Sequence, residues 1–187
     1  MPYAPRSARL RSAMRVAVAS ESELDAAYAV IIECREALEA RDLLQWDPQY
    51  PSRSFFQEAV ADGNLFVLRE DKRVKGVVVL NQWQPPEWST VAWHEQGPSF
   101  LVIHAFAIAP HFQRRGHGRV LLNFCESFAG KVGYTSLRLD AFSEHSAALQ
   151  FYERHGYSRR GEVRFSSKPA GHQQYYCYEK SLAKNAS

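Results

Sequence analysis

The residues best suited to chemistry lie in one turn, Gln113-Arg114-Arg115-Gly116-His117-Gly118. An apolar run precedes it at 100–108 and another follows it at 120–128. This pattern predicts a strand, a glycine-rich turn and a helix. Glycine at 116 and 118 lets the backbone approach a ligand without a Cβ in the way. The helix that follows turns its free N–H groups and its positive dipole end toward that ligand. Together these parts make an anion site, most naturally for phosphate. Arg114, Arg115 and Arg119 supply positive charge beside it. No lysine follows the glycines, as a nucleoside triphosphate site would require.

Four further features carry candidate chemistry. Tyr152 keeps its phenolic proton at pH 7 and could act as an acid. By spacing alone it is a helix tyrosine packed beside Ala148 on a core face. His104 interrupts the apolar strand, and simple alternation puts it on the face of Val102 and Phe106. A neutral imidazole there suits a general base; a buried histidine satisfied by the backbone fits the same pattern. Cys125 falls on the stripe Leu121, Cys125, Phe128, Val132, which is core spacing and argues against an acyl-cysteine. His94, His111, His117 and His172 show no metal-ligand spacing, so no metal is expected.

The elements that must position these residues follow from periodicity. A first strand is expected at 14–19. Ser20 and Glu23 then form a capping box that opens a helix running to about Arg41. Trp46-Asp47-Pro48 breaks the chain, and Ser52 or Ser54 caps a second helix that ends at Gly63. Segments 65–69 and 75–80 form a hairpin around Asp71-Lys72-Arg73. A long polar-aromatic connection spans 81–99, and loops of that length in a domain are often functional. The strand at 100–109 is apolar on both faces and so belongs in the middle of the sheet. After the turn come a helix to about Lys131, a strand at 135–141 and a short helix at 145–155 stopped by Gly156. Strands at 157–165 and 174–182 close the domain. The fold class is α/β, a mixed sheet with helices on both faces in the order β-α-α-β-β-β-α-β-α-β-β.

Composition narrows the function class. The chain has 187 residues, of which 45% are hydrophobic, enough for one domain with a sizeable core. A net charge of +3 without a dense Lys/Arg tract argues against a nucleic-acid partner. Three cysteines far apart give neither a disulfide framework nor a metal site, which suits a reducing, cytoplasmic compartment. No apolar run is long enough to span a membrane. Residues 1–13 read as a disordered basic leader carrying Arg6, Arg9 and Arg11, with Met14 an alternative start. The domain covers 14–182, and 183–187 form a tail.

Two spaced motifs, in the right order, resemble the GNAT superfamily of N-acetyltransferases. Gln113-x-x-Gly116-x-Gly118 is similar to its Q/R-x-x-G-x-G/A signature. Ala148-x-x-Phe151-Tyr152-x-x-x-Gly156-Tyr157 is similar to its second segment, and Tyr176-Cys177-Tyr178-Glu179-Lys180 to the last strand of small members. The resemblance implies a mostly antiparallel sheet splayed between its fourth and fifth strands. It implies acetyl-CoA in that opening, with coenzyme A as product. Backbone N–H groups of 114–119, including His117, would hold the pyrophosphate, and Gln113 belongs to the same motif. Phe106, Ala107 and Ile108 would pair with the pantetheine arm. Tyr152 would be the acid that protonates the leaving thiolate. A strand histidine placed like His104 relays a proton in some relatives, and a bulge usual in this strand would reverse the facing given by alternation. His145 and Ala148 fall on cofactor-binding positions. His145 stands where relatives usually carry Asn, so the contact either passes to it or moves to Ser143 or Ser146.

The acceptor would lie opposite the cofactor, a primary amine on a small molecule, peptide or lysine. Glu33, Trp46, Trp83 and Asp140 are its candidate contacts. Tyr50, Phe55, Trp88, Trp93 and the last loop, 168–173, are expected nearby. Aromatic walls with a few acids suit a cationic or hydrophobic amine; aromatics that merely anchor loops fit equally. The enzyme would work by direct transfer in a ternary complex, as a monomer or homodimer. The alternative is a non-catalytic acyl-CoA-binding module of the same fold, acting as a sensor or partner-binding unit.

Overall fold

The computed structural model describes residues 13–182. The expected leader and tail, with the arginines at 6, 9 and 11, lie outside the described residues. Seven strands form one sheet in the order β1-β2-β3-β4-β5-β7-β6. The strands are β1 (Arg15–Val18), β2 (Leu65–Glu70), β3 (Arg73–Asn81), β4 (Phe100–Ile108), β5 (Ser136–Phe142), β6 (Ser158–Arg164) and β7 (Gln174–Ser181). The helices are α1 (Leu24–Glu39), α2 (Arg53–Ala61), α3 (His117–Lys131) and α4 (Ser146–Arg154). This is the element order that periodicity predicts.

Local chemistry explains the boundaries. The Ser20 N–H donates to Glu23 Oε2 at 2.9 Å, closing the capping box ahead of α1. Ser52, not Ser54, caps α2, accepting from the Phe55 N–H at 3.1 Å. Asp71 and Lys72 both take positive φ, as a two-residue hairpin turn requires.

Every neighbouring pair in the sheet is antiparallel except β4 and β5. Those two run parallel and touch only where Phe100–Val102 meet Ser136–Arg138. Beyond that point they diverge. A bulge sits in the diverging part of β4. Val77 faces Ala107 and Val79 faces His104, so three steps on β4 match two on β3. Ala105 absorbs the extra residue at φ 48°.

Apolar packing fills both faces. Leu121, Leu122, Cys125 and Tyr152 pack with Leu101, Ile103 and Ile108 on the α3–α4 side. Ala27, Val30, Ile31 and Phe56 pack with Val77, Val79 and Ala107 on the α1–α2 side. Cys34, Cys125 and Cys177 are free and buried. Val132, expected on the α3 core stripe, is 57% exposed because the helix has ended by that residue.

The long connection 82–99 is not a loose loop. Trp88 is buried with Val102, Phe142 and Cys177. Arg138 donates to the Glu179 carboxylate at 3.1 Å and to the Gln84 side chain at 3.1 Å, and its guanidinium packs on the Trp93 and Phe100 rings. The same carboxylate accepts the His94 N–H. This buried pair fastens the connection to β5 and β7. Removing one partner of such a pair costs about 3–5 kcal/mol, since the other charge stays buried.

Candidate active site

The divergence of β4 and β5 opens a cavity of ≈ 1240 Å³ lined from both faces of the sheet. On the α3–α4 side its wall includes Phe106, Ile108, Gly118, Ala148, Phe151 and Tyr152. On the α1–α2 side it includes Trp46, Tyr50, Trp83, His104, Ala105 and Asp140.

The first half is built from backbone. Gly116 precedes α3 at φ 88°, a conformation that favours glycine. None of the six N–H groups from 114 to 119 has an acceptor among the described residues; the first helical bond runs from the Val120 N–H to Gly116 O. Gln113 steadies the turn by donating to Ile108 O at 2.9 Å. Gly118 packs closely under Phe151: a Cβ there would sit 3.4 Å from the ring. Arg114 and Arg119 line the cavity, and Arg154 and His155 from the end of α4 join them. A row of free N–H groups beside basic side chains fits a phosphate-bearing cofactor.

Arg115 is exposed and does not line the cavity. The His117 side chain points away from the turn and is buried, with Nε2 at 3.4 Å from Glu70 and its ring against Phe112. Only its backbone belongs to the cradle. His145 lines the cavity and precedes α4, its Nδ1 at 3.0 Å from the Gln45 side chain.

Tyr152 stands beside the gap between the strands. Its ring packs edge-on against Phe106 and Tyr157. Burial pushes its hydroxyl pKa up, so the phenol stays protonated through neutral pH. No protein group among the described residues hydrogen-bonds that hydroxyl.

The bulge decides what β4 shows to each side. His104 faces the α1–α2 side with Ala105 and Ala107, whereas Phe106 turns to the α3–α4 side. Simple alternation, which grouped His104 with Phe106, is corrected by this extra residue. His104 Nε2 lies 3.1 Å from both Asn81 Oδ1 and Trp83 O. Both are acceptors, so Nε2 carries the proton and Nδ1 is left to accept. Burial lowers the imidazole pKa to about 4.

Asp140 lies on β5 at the bottom of the α1–α2 half. One carboxylate oxygen accepts from Trp88 Nε1 at 3.2 Å, and the other has no protein donor among the described residues. Burial raises its pKa to about 6, against the partial relief of the Trp88 bond and the Lys168 charge. Lys168 is itself neutralised by Asp47 at 3.1 Å.

Of the acceptor-side residues read from sequence, Trp46, Trp83 and Asp140 line the cavity and Glu33 does not. Glu33 is exposed on α1, one position off the face that carries Cys34 and Leu38 inward. Trp88 and Trp93 support the wall from behind, and Phe55 packs on Tyr50 outside it. Gln45, Arg41, Arg154 and the pairing of Lys168 with Asp47 were not legible, since nothing local marks them, although Lys168 belongs to the loop expected nearby. The exception is Asp140: a lone acid in the apolar strand 136–142 is a signal in itself.

The sheet splits beside its one parallel strand pair, and the helix that follows β4 opens on a row of N–H groups without backbone acceptors. The model of the acetyltransferase (GNAT) family matches residues 31–157, and the chain belongs to that family. No curated protein has a matching sequence. Among solved structures, a GNAT-family acetyltransferase from Streptococcus agalactiae is similar with a TM-score of 0.74 at 19% identity, over 93% of this chain and 98% of that one. Ard1 from Thermoplasma volcanium is similar at 0.70 and 15% identity, over 91% and 98%. The ribosomal-protein-S18-alanine N-acetyltransferase of Escherichia coli is similar at 0.64 and 17% identity, over 94% and 97%. At these identities the likeness is one of fold. Among the described residues no helix is long and apolar enough to cross a membrane, and no cluster of His, Cys, Asp or Glu could hold a metal ion.

Proposed function

We propose that the protein is an acetyl-CoA-dependent N-acetyltransferase that acts on a primary amine by direct attack in a ternary complex. The observation that carries this reading is the single cavity reaching both faces of the sheet, with free N–H groups on one side and an incompletely bonded carboxylate on the other. Bound acetyl-CoA supplies the acetyl group as a thioester. The N–H groups of 114–119 hold its pyrophosphate, with Arg114 and Arg119 beside them, and the inner edge of β4 at 106–108, which has no partner strand, receives the pantetheine arm.

Tyr152 donates the proton that the leaving sulfur needs, and its raised pKa keeps that proton available. The acceptor must arrive at the carbonyl as a free amine. Asp140 takes the ammonium proton: its pKa of about 6 is close to neutrality and one oxygen is open. His104 was the candidate for this role from sequence. A pKa of about 4 makes it a weak base, and its Nε2 is committed to Asn81 and Trp83. Its role is to position the Trp83 segment. Direct transfer is supported by the thiols. Cys125 is buried away from the cavity, and Cys34 donates to Ile108 O with its pKa pushed up to about 12.

Release of coenzyme A thiol from acetyl-CoA across a broad amine panel tests the reading. Turnover with at least one amine, lost in Tyr152→Phe, is expected; no turnover with any amine supports the non-catalytic acyl-CoA-binding module instead. The pH–rate profile separates the two bases. Asp140→Asn is expected to lose the acidic limb, and His104→Gln to keep it.

A further inference from the structure

The α1–α2 half of the cavity is closed along one side by contacts between distant segments. Lys168 Nζ meets Asp47 Oδ2 at 3.1 Å, Tyr175 donates its hydroxyl to Gln45 O at 3.2 Å, and His172 Nε2 lies 2.9 Å from Asp42 O. These bonds join the β6–β7 loop to the α1–α2 connection, and Gln45, Tyr50, Lys168 and Tyr175 all line the cavity. An extended chain lying across the sheet would have to break that strap. Trp83, 58% exposed and lining the cavity, is left at the rim.

Behind Trp83, Trp46, Tyr50, Phe165 and Tyr175 give aromatic walls, and Asp140 is the acid set among them; Glu87 and Arg41 line the same cavity with opposite charges. The Lys168 charge is already answered by Asp47. We propose that this half of the site selects a small monocationic amine with an aromatic or apolar body, inserted ammonium-first, so that Asp140 receives the ammonium and the aromatic walls receive the body.

An ammonium ion set among aromatic faces and one carboxylate gains both cation–π and charge-assisted contacts. It also relieves the cost of a half-buried, half-bonded carboxylate, a cost visible in the raised pKa of Asp140. A neutral body of the same shape gains only the apolar part. An α-carboxylate added next to the ammonium would be brought toward Asp140 and repelled.

The acetyltransferase reading locates this pocket as the acceptor side, but recognition can be measured without a donor. The probes are 2-phenylethylamine, 2-phenylethanol, phenylalanine and a free-N-terminus tetrapeptide, titrated against the tryptophan fluorescence of the intact chain with no acetyl-CoA present. The amine is expected to bind at least about tenfold more tightly than each of the other three. Asp140→Asn should abolish the preference for amine over alcohol while leaving the alcohol within about twofold. Trp83→Ala, a change at an exposed rim, should weaken 2-phenylethylamine by about fivefold and leave ethylamine unchanged. Tighter binding of the peptide or of phenylalanine, or an amine preference that survives Asp140→Asn, would overturn the proposal. If the amine binds with this selectivity yet none of the bound amines releases thiol from acetyl-CoA, the recognition stands and the catalytic reading fails.

Discussion

The two halves of the cavity are made of different materials. The half on the α3–α4 side, proposed for the cofactor, is backbone: six free N–H groups, a left-handed Gly116 and a strand edge. Its strand edge and cradle lie within 15 residues of chain, 105–119, and α4 completes the wall with Ala148, Phe151 and Tyr152. The half on the α1–α2 side, proposed for the acceptor, is side chain: Trp46, Tyr50, Trp83, Asp140 and Lys168, from separate segments and joined by a strap. The difference teaches how each half can change. A backbone cradle tolerates few substitutions at its glycines and many elsewhere. A side-chain pocket can be rewritten one residue at a time without touching the fold.

That contrast can be broken or sharpened by experiment. The largest effect is expected at the boundary of the two halves. Tyr152→Phe should lower kcat by about 10²–10⁴-fold, with the KM for acetyl-CoA nearly unchanged in steady-state kinetics. Next, Gly116→Val places a β-branched residue at φ 88°. It should raise the KM for acetyl-CoA by about tenfold or more while acceptor binding stays the same, because the strain of about 1–3 kcal/mol falls on the cradle. An equal loss of acceptor binding would show that the halves are not separable.

A third expectation concerns stability. Asp140 is raised to about 6 and His104 lowered to about 4. The folded chain holds the Asp140 proton to a higher pH than the unfolded chain, so this group's contribution falls as pH rises from about 4 to 6. His104 does the opposite: its contribution is lost as pH falls from about 6.5 to 4. The two slopes oppose one another. Asp140→Asn should therefore stabilise the fold by up to about 3 kcal/mol at pH 7, less the weakened Trp88 bond, and uncover the His104 slope in thermal melts. A curve that keeps the wild-type shape after the substitution would contradict the buried carboxylate. The smallest effect belongs to Glu33→Ala. Its side chain is outside the cavity, and all kinetic constants should stay within about twofold.

The same contrast explains what the sequence disclosed. The cradle was legible because a close backbone approach and a positive φ restrict the residue type at fixed spacing, which leaves a written mark at Gly116 and Gly118. The strand and helix order followed from apolar periods. The facing of Phe106 did not, because one extra residue at Ala105 inverts it and nothing in the alternation marks a bulge. The acceptor wall was only half legible. Trp46 and Trp83 could be picked as aromatics in loops, but which aromatics face inward depends on packing that brings residues such as Gln45 and Tyr175 together. Trp88 and Trp93 have the same type and the same loop as Trp83, and they are buttresses. Glu33 failed for a similar reason: one residue along a helix rotates a side chain by about 100°.

The short contact between β4 and β5 has one further consequence. Outer sheet edges attract strands from neighbouring molecules and are a hazard for aggregation. Here a second pair of edges without a partner strand lies inside the sheet, along 103–108 and 139–142. Helices α3 and α4 pack against the same strands. A strand from another molecule would have to displace those helices to reach the inner edges from that face, so the sheet carries open hydrogen-bonding capacity in its interior with one face already covered.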